Sequence, residues 1–473
     1  MRERGVIIKQ RGKNLHTAVL FPGRYNLAMS SLAYQSIYSF LNGLDGVLCD
    51  RFVQGIERSI EHGLTYMDYR AIFVTAPFIL DIPELLRLCH KNLANKDYTR
   101  AVCIGGMAAV ANPKLLSKCN AIIFPGELES HSEHIKSILN LIKSGAKREE
   151  IIEEIQPAAS KVEMILPDRR ELEYDPPTSV IYTKDTEFAN MHLIEVSRGC
   201  TGNCNFCMSR HITRYYREFK FEHIVNAIDK APPDIKIVGL IGDAVLSHSR
   251  IADIIEYILE KRRRPSFASI RIADLSPKKI PLILKSDIKT LTIAPEVATE
   301  KLMRVTNKFY NRTTLIEMLK ELINGGVMNI KLYMMIGLPS ETVEDIEAMI
   351  DLILDIREIL IISSRKKGKV GKLRVSINNF VPSPTTPLAG KNPDTIENLQ
   401  QKQVIISKKL SKYPNLSLSM MDIFETIYQT ALFRADSSFA DKIINMPDIS
   451  PQKIFNEDNQ FAKEILNLAF QNQ

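Results

Sequence analysis

No run of about 18 apolar residues occurs in this chain of 473 residues, so the sequence offers no segment of the length a membrane-crossing helix needs. The opening Met1-Arg2-Glu3-Arg4-Gly5 leads into only Val6-Ile7-Ile8 before polar residues resume, and no secretory leader is expected. Cysteine is scarce. Seven residues in a chain this long exclude a disulfide scaffold and fit a reducing, cytoplasmic setting. Excess charge of one sign is also missing: the net charge is +7, which permits an anionic ligand without requiring one and does not indicate nucleic acid. Two basic runs, Lys261-Arg262-Arg263-Arg264 and Arg365-Lys366-Lys367-Gly368-Lys369, fall where helices should end, and positive charge is favourable there. A further absence carries more information than these: no cysteine follows Cys207.

What stands before that point is Cys200-Thr201-Gly202-Asn203-Cys204-Asn205-Phe206-Cys207, a C-x3-C-x2-C spacing. Three thiolates so close can hold three corners of one iron–sulfur cube, whereas the usual cluster takes four. A metal centre that keeps a position open is built for catalysis, and a closed one for structure. The bland alternative is three small buried hydrophobes on a loop. The tight spacing, in a chain whose other four cysteines (Cys49, Cys89, Cys103, Cys119) are scattered, counts against it.

Length, with 45% apolar and 25% charged residues, indicates two or three globular domains. Residues 1–150 alternate short apolar runs with amphipathic stretches. His16–Phe21, Ala71–Ala76, Ala101–Ile104 and Ala121–Phe124 read as strands, with glycines just past their ends at Gly105, Gly106 and Gly126. That alternation predicts a doubly wound, Rossmann-like parallel sheet, whose ligands lie beyond the carboxyl ends of the strands. Residues 151–190, with Pro157, Pro167, Pro176 and Pro177 and little periodicity, read as a linker. From 191 to 390 six strand–helix units predict a (βα)6 partial TIM barrel. Its strands are expected at His192–Arg198, Lys236–Gly242, Ser266–Ala273, Thr290–Glu296, Asn329–Gly337 and Leu373–Val381. The cysteine loop follows the first of these, and in such barrels the βα loops carry the chemistry. Residues 391–473 read as a small helical region, with Ile396–Leu410 and Phe461–Phe470 amphipathic. Glu296, at the end of the fourth barrel strand, is well placed to accept hydrogen bonds from hydroxyl groups or an ammonium.

A C-x3-C-x2-C with an aromatic before its last cysteine resembles the radical S-adenosylmethionine (SAM) superfamily. The resemblance implies a [4Fe–4S] cluster on Cys200, Cys204 and Cys207, with SAM chelating the fourth iron and cleaved by one electron to a 5′-deoxyadenosyl radical. It implies SAM contacts at Phe206, at Gly242-Asp243 (a loose match to a Gly-Gly-Glu element), at Arg271 and Glu296, and at the Gly337 turn against adenine. An electron donor such as ferredoxin or flavodoxin is implied as partner. The stretches Phe21–Ser30, Ile104–Gly106, Phe124-Pro125-Gly126-Glu127, Ala294-Pro295-Glu296 and Phe380–Pro384 resemble the branch with an N-terminal cobalamin-binding-type domain. This resemblance covers residues 15 to about 390. There Gly105, Gly106, Gly126 and Glu127 are the candidates for cobalamin.

One departure stands out: no Asp-x-His-x-x-Gly is present to supply an imidazole to cobalt. The N-terminal domain is therefore expected to hold cobalamin without a lower protein ligand, to hold another ligand, or to serve for docking. With cobalamin, the resemblance implies methylation of an unactivated carbon. Without it, the expectation is another radical oxidation, a carbon–carbon bond formation or a lipid modification. A non-catalytic iron–sulfur binding protein is the alternative of another class. No residue is assigned as hydrogen donor or acid–base catalyst, and the substrate, small molecule or lipid, is not legible.

Overall fold

The computed structural model describes the whole chain apart from residues 1, 2, 94–99, 162–170, 214, 366, 367, 369, 447–449, 458 and 471–473. Three lysines of the second basic run, Lys366, Lys367 and Lys369, and Pro167 of the expected linker thus lie outside the described residues. The chain divides into two compact units. One comprises Met1–Arg169, Asp175–Glu195 and Leu432–Ile449, the other Arg170–Tyr174, Val196–Ala431 and Ser450–Gln473.

The first unit is built on five parallel strands in the order second, first, third, fourth, fifth: Leu15–Phe21, Val47–Val53, Ala71–Thr75, Ala101–Gly105 and Ile122–Phe124 in chain order. Ala18, Val19, Leu20 and Phe21 in a row are buried, as are Ala71 to Thr75. Runs without alternation are what a sheet covered on both faces requires. The order reverses between the first and third strands, which opens a crevice at their carboxyl ends.

Two elements here depart from the expectation. The strand Val47–Val53 was not anticipated because Asp50-Arg51 breaks its apolar run, yet all seven residues are buried. The charges are neutralised locally. Arg51 pairs with Glu61 at 2.5 Å and Glu3 at 2.7 Å, while Asp50 accepts hydrogen bonds from Ser59 Oγ at 2.8 Å and Tyr69 Oη at 2.6 Å. The expected linker begins with a helix, Arg148–Lys161, that runs through Pro157. Ile151, Ile155 and Ala159, spaced by four, lay one face of it on the core of this unit, and that burial outweighs the proline.

In the second unit the strands Ile237–Ile241 and Arg264–Phe267 pair in parallel. Thr290–Glu296, Asn329–Ile336, Lys372–Asn379 and Leu416–Met420 form a second parallel set, and an Ile270–Ile293 bridge joins the two. This unit takes up the chain again at Val196, whose N–H donates to Ile241 O at 2.9 Å. Helices follow the strands in turn. Arg312–Gly325 is typical: Asn311 caps it through Thr314 N, and Leu315, Met318, Leu319, Leu322 and Ile323 form its buried stripe. This is the doubly wound sheet and partial parallel barrel that the alternation predicts.

The third barrel strand is shorter than expected. The small residues Ala268-Ser269 leave the ladder after Phe267, and Ile272–Asp274 turns into a short 3-10 helix. The C-terminal region supplies the helices Ile396–Leu410 and Asn459–Ala469, and also the strand Leu416–Met420, which extends the barrel sheet beside Lys372–Asn379. Its alternation of Leu and Ser was masked by the lysine-rich stretch before it.

The dry Arg51 cluster makes a testable demand. Arg51 and Glu61 side chains are both 0% exposed, so Arg51→Met strands two carboxylates in the interior. A loss of about 3–5 kcal/mol is expected, read as a lower urea midpoint by circular dichroism; a wild-type midpoint would contradict the role given to this cluster.

Candidate active site

The cysteine loop leaves the short strand Ser197–Arg198 through Gly199 and ends at the helix Met208–Thr213. Gly199 has φ 74°, and a Cβ there would lie 2.3 Å from Tyr215 O, so only glycine fits this turn. The loop is then tied down along its length. Asn205 N donates to Thr306 O at 2.9 Å, Asn205 Nδ2 to Val305 O at 2.9 Å, and Asn307 Nδ2 to Asn203 O at 2.8 Å. Arg210 Nε donates to Gly202 O at 2.6 Å, and Leu388 N to Asn205 O at 3.3 Å. The end of the helix Glu300–Thr306 thus serves as a buttress, with its carbonyls spent on the loop.

All three loop cysteines are half-buried free thiols. Burial pushes the Cys207 thiol up to about 11, and it pushes Cys204 upward against the opposing charges of Lys308 and Arg271. Gly202 N donates to Cys200 Sγ at 3.3 Å. Among the described residues no three His, Cys, Asp or Glu side chains converge closely enough for a single metal ion. A cube has no need of that convergence, since each thiolate meets a different iron. Three soft sulfur donors on one loop, one of them already accepting an N–H, fit an iron–sulfur cluster by donor type.

Most of the other expected site residues gather around this loop. Phe206 packs against Val297, Leu302, Met303, Leu338, Phe380 and Leu388, with Lys308 Nζ 6.0 Å from its ring centre. Gly242 follows its strand at a point where a Cβ would sit 2.6 Å from Ser197 Oγ and 2.9 Å from Ser197 O, so packing against Ser197 by itself demands glycine. Asp243 accepts from Ser209 Oγ at 2.6 Å, two residues past Cys207. Arg271 donates to Thr201 Oγ1, and its Nη2 would touch a Cβ on Gly202 at 3.0 Å. Behind it Ser247 Oγ donates to Asp274 at 2.7 Å, and Asp274 lies 3.7 Å from Arg271 Nη1.

Glu296 is buried, pairs with Lys308 at 3.1 Å, and sits at φ 67° where the ladder shifts register. A left-handed glutamate at a strand end holds strain of order 1–3 kcal/mol, which structures tend to keep at functional sites. Gly337, at the end of the next strand, donates its N–H to Glu341 Oε2 at 2.7 Å. Gly105, Gly106, Gly126 and Glu127 belong to the other unit, at the ends of its last two strands. Gly106 has φ 109°, and a Cβ there would lie 2.5 Å from Ala76 O, so its glycine also answers a packing demand.

Sequence reading missed the buttress residues Asn205, Thr306 and Asn307, and the partners Lys308, Ser247 and Asp274. Nothing local in Asn307-Lys308 says that a segment a hundred residues away would lie against it.

Residues 194–353 match the radical SAM superfamily. The chain carries a radical SAM domain. The family requires a [4Fe–4S] cluster, SAM and a reductant. Over 431 residues, 90% of each chain, the sequence is 24% identical to the uncharacterized protein MJ0966 of Methanocaldococcus jannaschii. In fold it resembles the radical SAM methyltransferase TsrM of Kitasatospora setae, solved with cobalamin and a [4Fe–4S] cluster. There the TM-score is 0.61 at 11% identity, covering 91% of this chain and 98% of that one. It also resembles the cobalamin-dependent radical SAM enzyme OxsB, with a TM-score of 0.52 at 12% identity, covering 96% of this chain and 72% of that one. Among the described residues no helix is long and apolar enough to cross a membrane.

The buttress yields its own expectation. Asn205→Ala removes the side-chain bond to Val305 O, a loss of about 1 kcal/mol. Without cluster, the variant should keep its circular dichroism while its loop cysteines react faster with a thiol reagent. Unchanged labelling would mean that the loop is held by other contacts.

Proposed function

We propose that this radical SAM enzyme methylates an unactivated carbon, with cobalamin held by the first unit and SAM over the cysteine loop. The observation that carries the reading is one loop with three cysteines at the mouth of a partial barrel, tethered on one side and ringed by Asp243, Arg271 and Glu296. Cys200, Cys204 and Cys207 would hold three irons. When bound, the cluster supplies an electron and an open iron, and SAM supplies the adenosyl group that abstracts hydrogen. Arg271, fixed by Thr201 and Asp274, offers a guanidinium to a carboxylate beside Cys200. Glu296 offers an acceptor to hydroxyl or ammonium groups, and Phe206 an apolar face. The Gly337 turn is assigned to adenine.

For cobalamin the support is the doubly wound sheet and two polar atoms near its carboxyl edge. Thr75 Oγ1 and His131 Nδ1 are buried and, among the described residues, have no hydrogen-bond partner. His131 Nε2 already donates to Pro125 O at 2.6 Å, so Nδ1 is the ring's free acceptor, and burial lowers the pKa and favours this neutral form. Buried polar atoms without partners ask for a ligand that has donors, and the amide-rich rim of a corrin supplies them. Bound cobalamin would carry the methyl group. Gly105, Gly106, Gly126 and Glu127 stay assigned to this site. Two solved proteins of similar fold that hold cobalamin, TsrM and OxsB, support this reading. We further assign the enzyme to the cytoplasm, with a ferredoxin- or flavodoxin-type electron donor, and divide the chain at about residues 150, 190 and 390.

The test is anaerobic reconstitution with iron and sulfide, then SAM and dithionite. Wild type should form 5′-deoxyadenosine, and alanine at any one of Cys200, Cys204 or Cys207 should abolish both cluster absorbance and product. A reconstituted cluster that gives no product would favour a binding protein. Purified with hydroxocobalamin, wild type should retain corrin absorbance and Thr75→Val/His131→Phe should retain much less. A wild-type protein free of corrin would remove methyl transfer and leave a cobalamin-independent radical enzyme.

A further inference from the structure

A buried ionic triad sits away from the cysteine loop, behind the Gly337 turn. Lys402 Nζ lies 2.7 Å from Glu341 Oε2 and 2.6 Å from Asp394 Oδ2, with the three side chains 10%, 1% and 16% exposed. Each carboxylate also grips backbone. Glu341 Oε2 accepts from Gly337 N at 2.7 Å, and Asp394 Oδ1 accepts from Thr395 N and Asn398 Nδ2, both at 2.9 Å. Gly337 itself, at φ 80°, presses on the C-terminal helix Ile396–Leu410: a Cβ would lie 2.8 Å from Leu399 Cδ2 and 3.3 Å from Asp394 Cβ. A cavity of about 410 Å³ lies alongside, lined by residues of the Gly337 turn and by Asn398 and Gln401. The neighbouring Leu338 shares a small apolar cluster with Phe206 of the cysteine loop.

Three charges out of water are a poor source of stability compared with apolar packing, but they fix geometry, because each can be satisfied in only one arrangement. What this triad fixes is the turn. We infer that Lys402 is a positioning residue for SAM: through Glu341 it holds the Gly337 turn in the conformation that receives adenine, so that the C-terminal helix sets nucleoside affinity from outside the barrel. This rests on the assignment of that turn to adenine.

The experiment uses the full chain with its cluster reconstituted. Lys402→Met should raise the KM for SAM in 5′-deoxyadenosine formation about tenfold while the rate at saturation stays within about twofold and cluster absorbance is unchanged. Lys402→Arg should recover most of the loss. If Lys402→Met does not fold, the charge-free Lys402→Met/Glu341→Gln/Asp394→Asn variant, which leaves no carboxylate stranded, should show the same rise in KM. An unchanged KM in either folded variant, or a fall in saturated rate with KM intact, would overturn the inference. Gly337→Ala separates the two layers. If it raises KM while Lys402→Met does not, only the role of Lys402 is lost; if neither does, the adenine assignment falls as well.

Discussion

The site depends on the attachment of one irregular loop to one helix end. Eight residues with three cysteines and no internal ladder have no reason to keep a shape. Their conformational entropy is offset by hydrogen bonds that Asn205 donates to Val305 and Thr306 and by those that the carbonyls of Asn203 and Gly202 accept from Asn307 and Arg210. The carbonyls of Val305 and Thr306 are among those a helix terminus leaves without intrahelical partners. The helix is thus finished by the loop and the loop is ordered by the helix, so neither need is met by water.

Around that junction the barrel topology gathers charges that oppose one another. Arg271, Lys308 and Glu296 lie near Cys204, and Asp243 lies near Cys207. Each cation has an acid of its own, Asp274 at 3.7 Å for Arg271 and Glu296 at 3.1 Å for Lys308. Such a balance lets an anionic thiolate set be accommodated without the mouth becoming strongly positive when the thiols are protonated. The left-handed backbone at Glu296 belongs to this balance, since the register shift turns its carboxylate out of the ladder toward Lys308.

Legibility in the sequence followed the range of the causes. The cysteine loop was readable because its chemistry is local, as were the strands with uninterrupted apolar runs. Val47–Val53 was not, because its apolar run is broken by Asp50-Arg51, whose partners Glu3, Ser59, Glu61 and Tyr69 are supplied by other segments. Leu416–Met420 needed a neighbour, Lys372–Asn379, to become a strand. Gly106 and Gly242 were picked out for closeness to a ligand, and the nearer constraint on each is the protein itself, Ala76 backbone for Gly106 and Ser197 for Gly242. A glycine at a strand end therefore marks a crowded point, and what crowds it must come from the fold.

The two buried ionic clusters, Arg51 with Glu3 and Glu61 and Lys402 with Glu341 and Asp394, carry the same one-to-two ratio of charge and do different work. Arg51 joins a strand to the chain terminus and to a loop. The Arg51 and Glu61 side chains are fully buried, and Tyr38 covers the guanidinium with its ring centre at 5.3 Å. Its planar fork suits two carboxylates approached from different sides. Lys402 has a point charge on a flexible stem and lies beside a cavity, not beneath a ring. A guanidinium would fix its partners by direction as well as distance, whereas an ammonium fixes mainly distance and tolerates rotation. The turn that Lys402 holds is therefore set by two short contacts, to Glu341 at 2.7 Å and Asp394 at 2.6 Å, and by the backbone groups those carboxylates grip in turn.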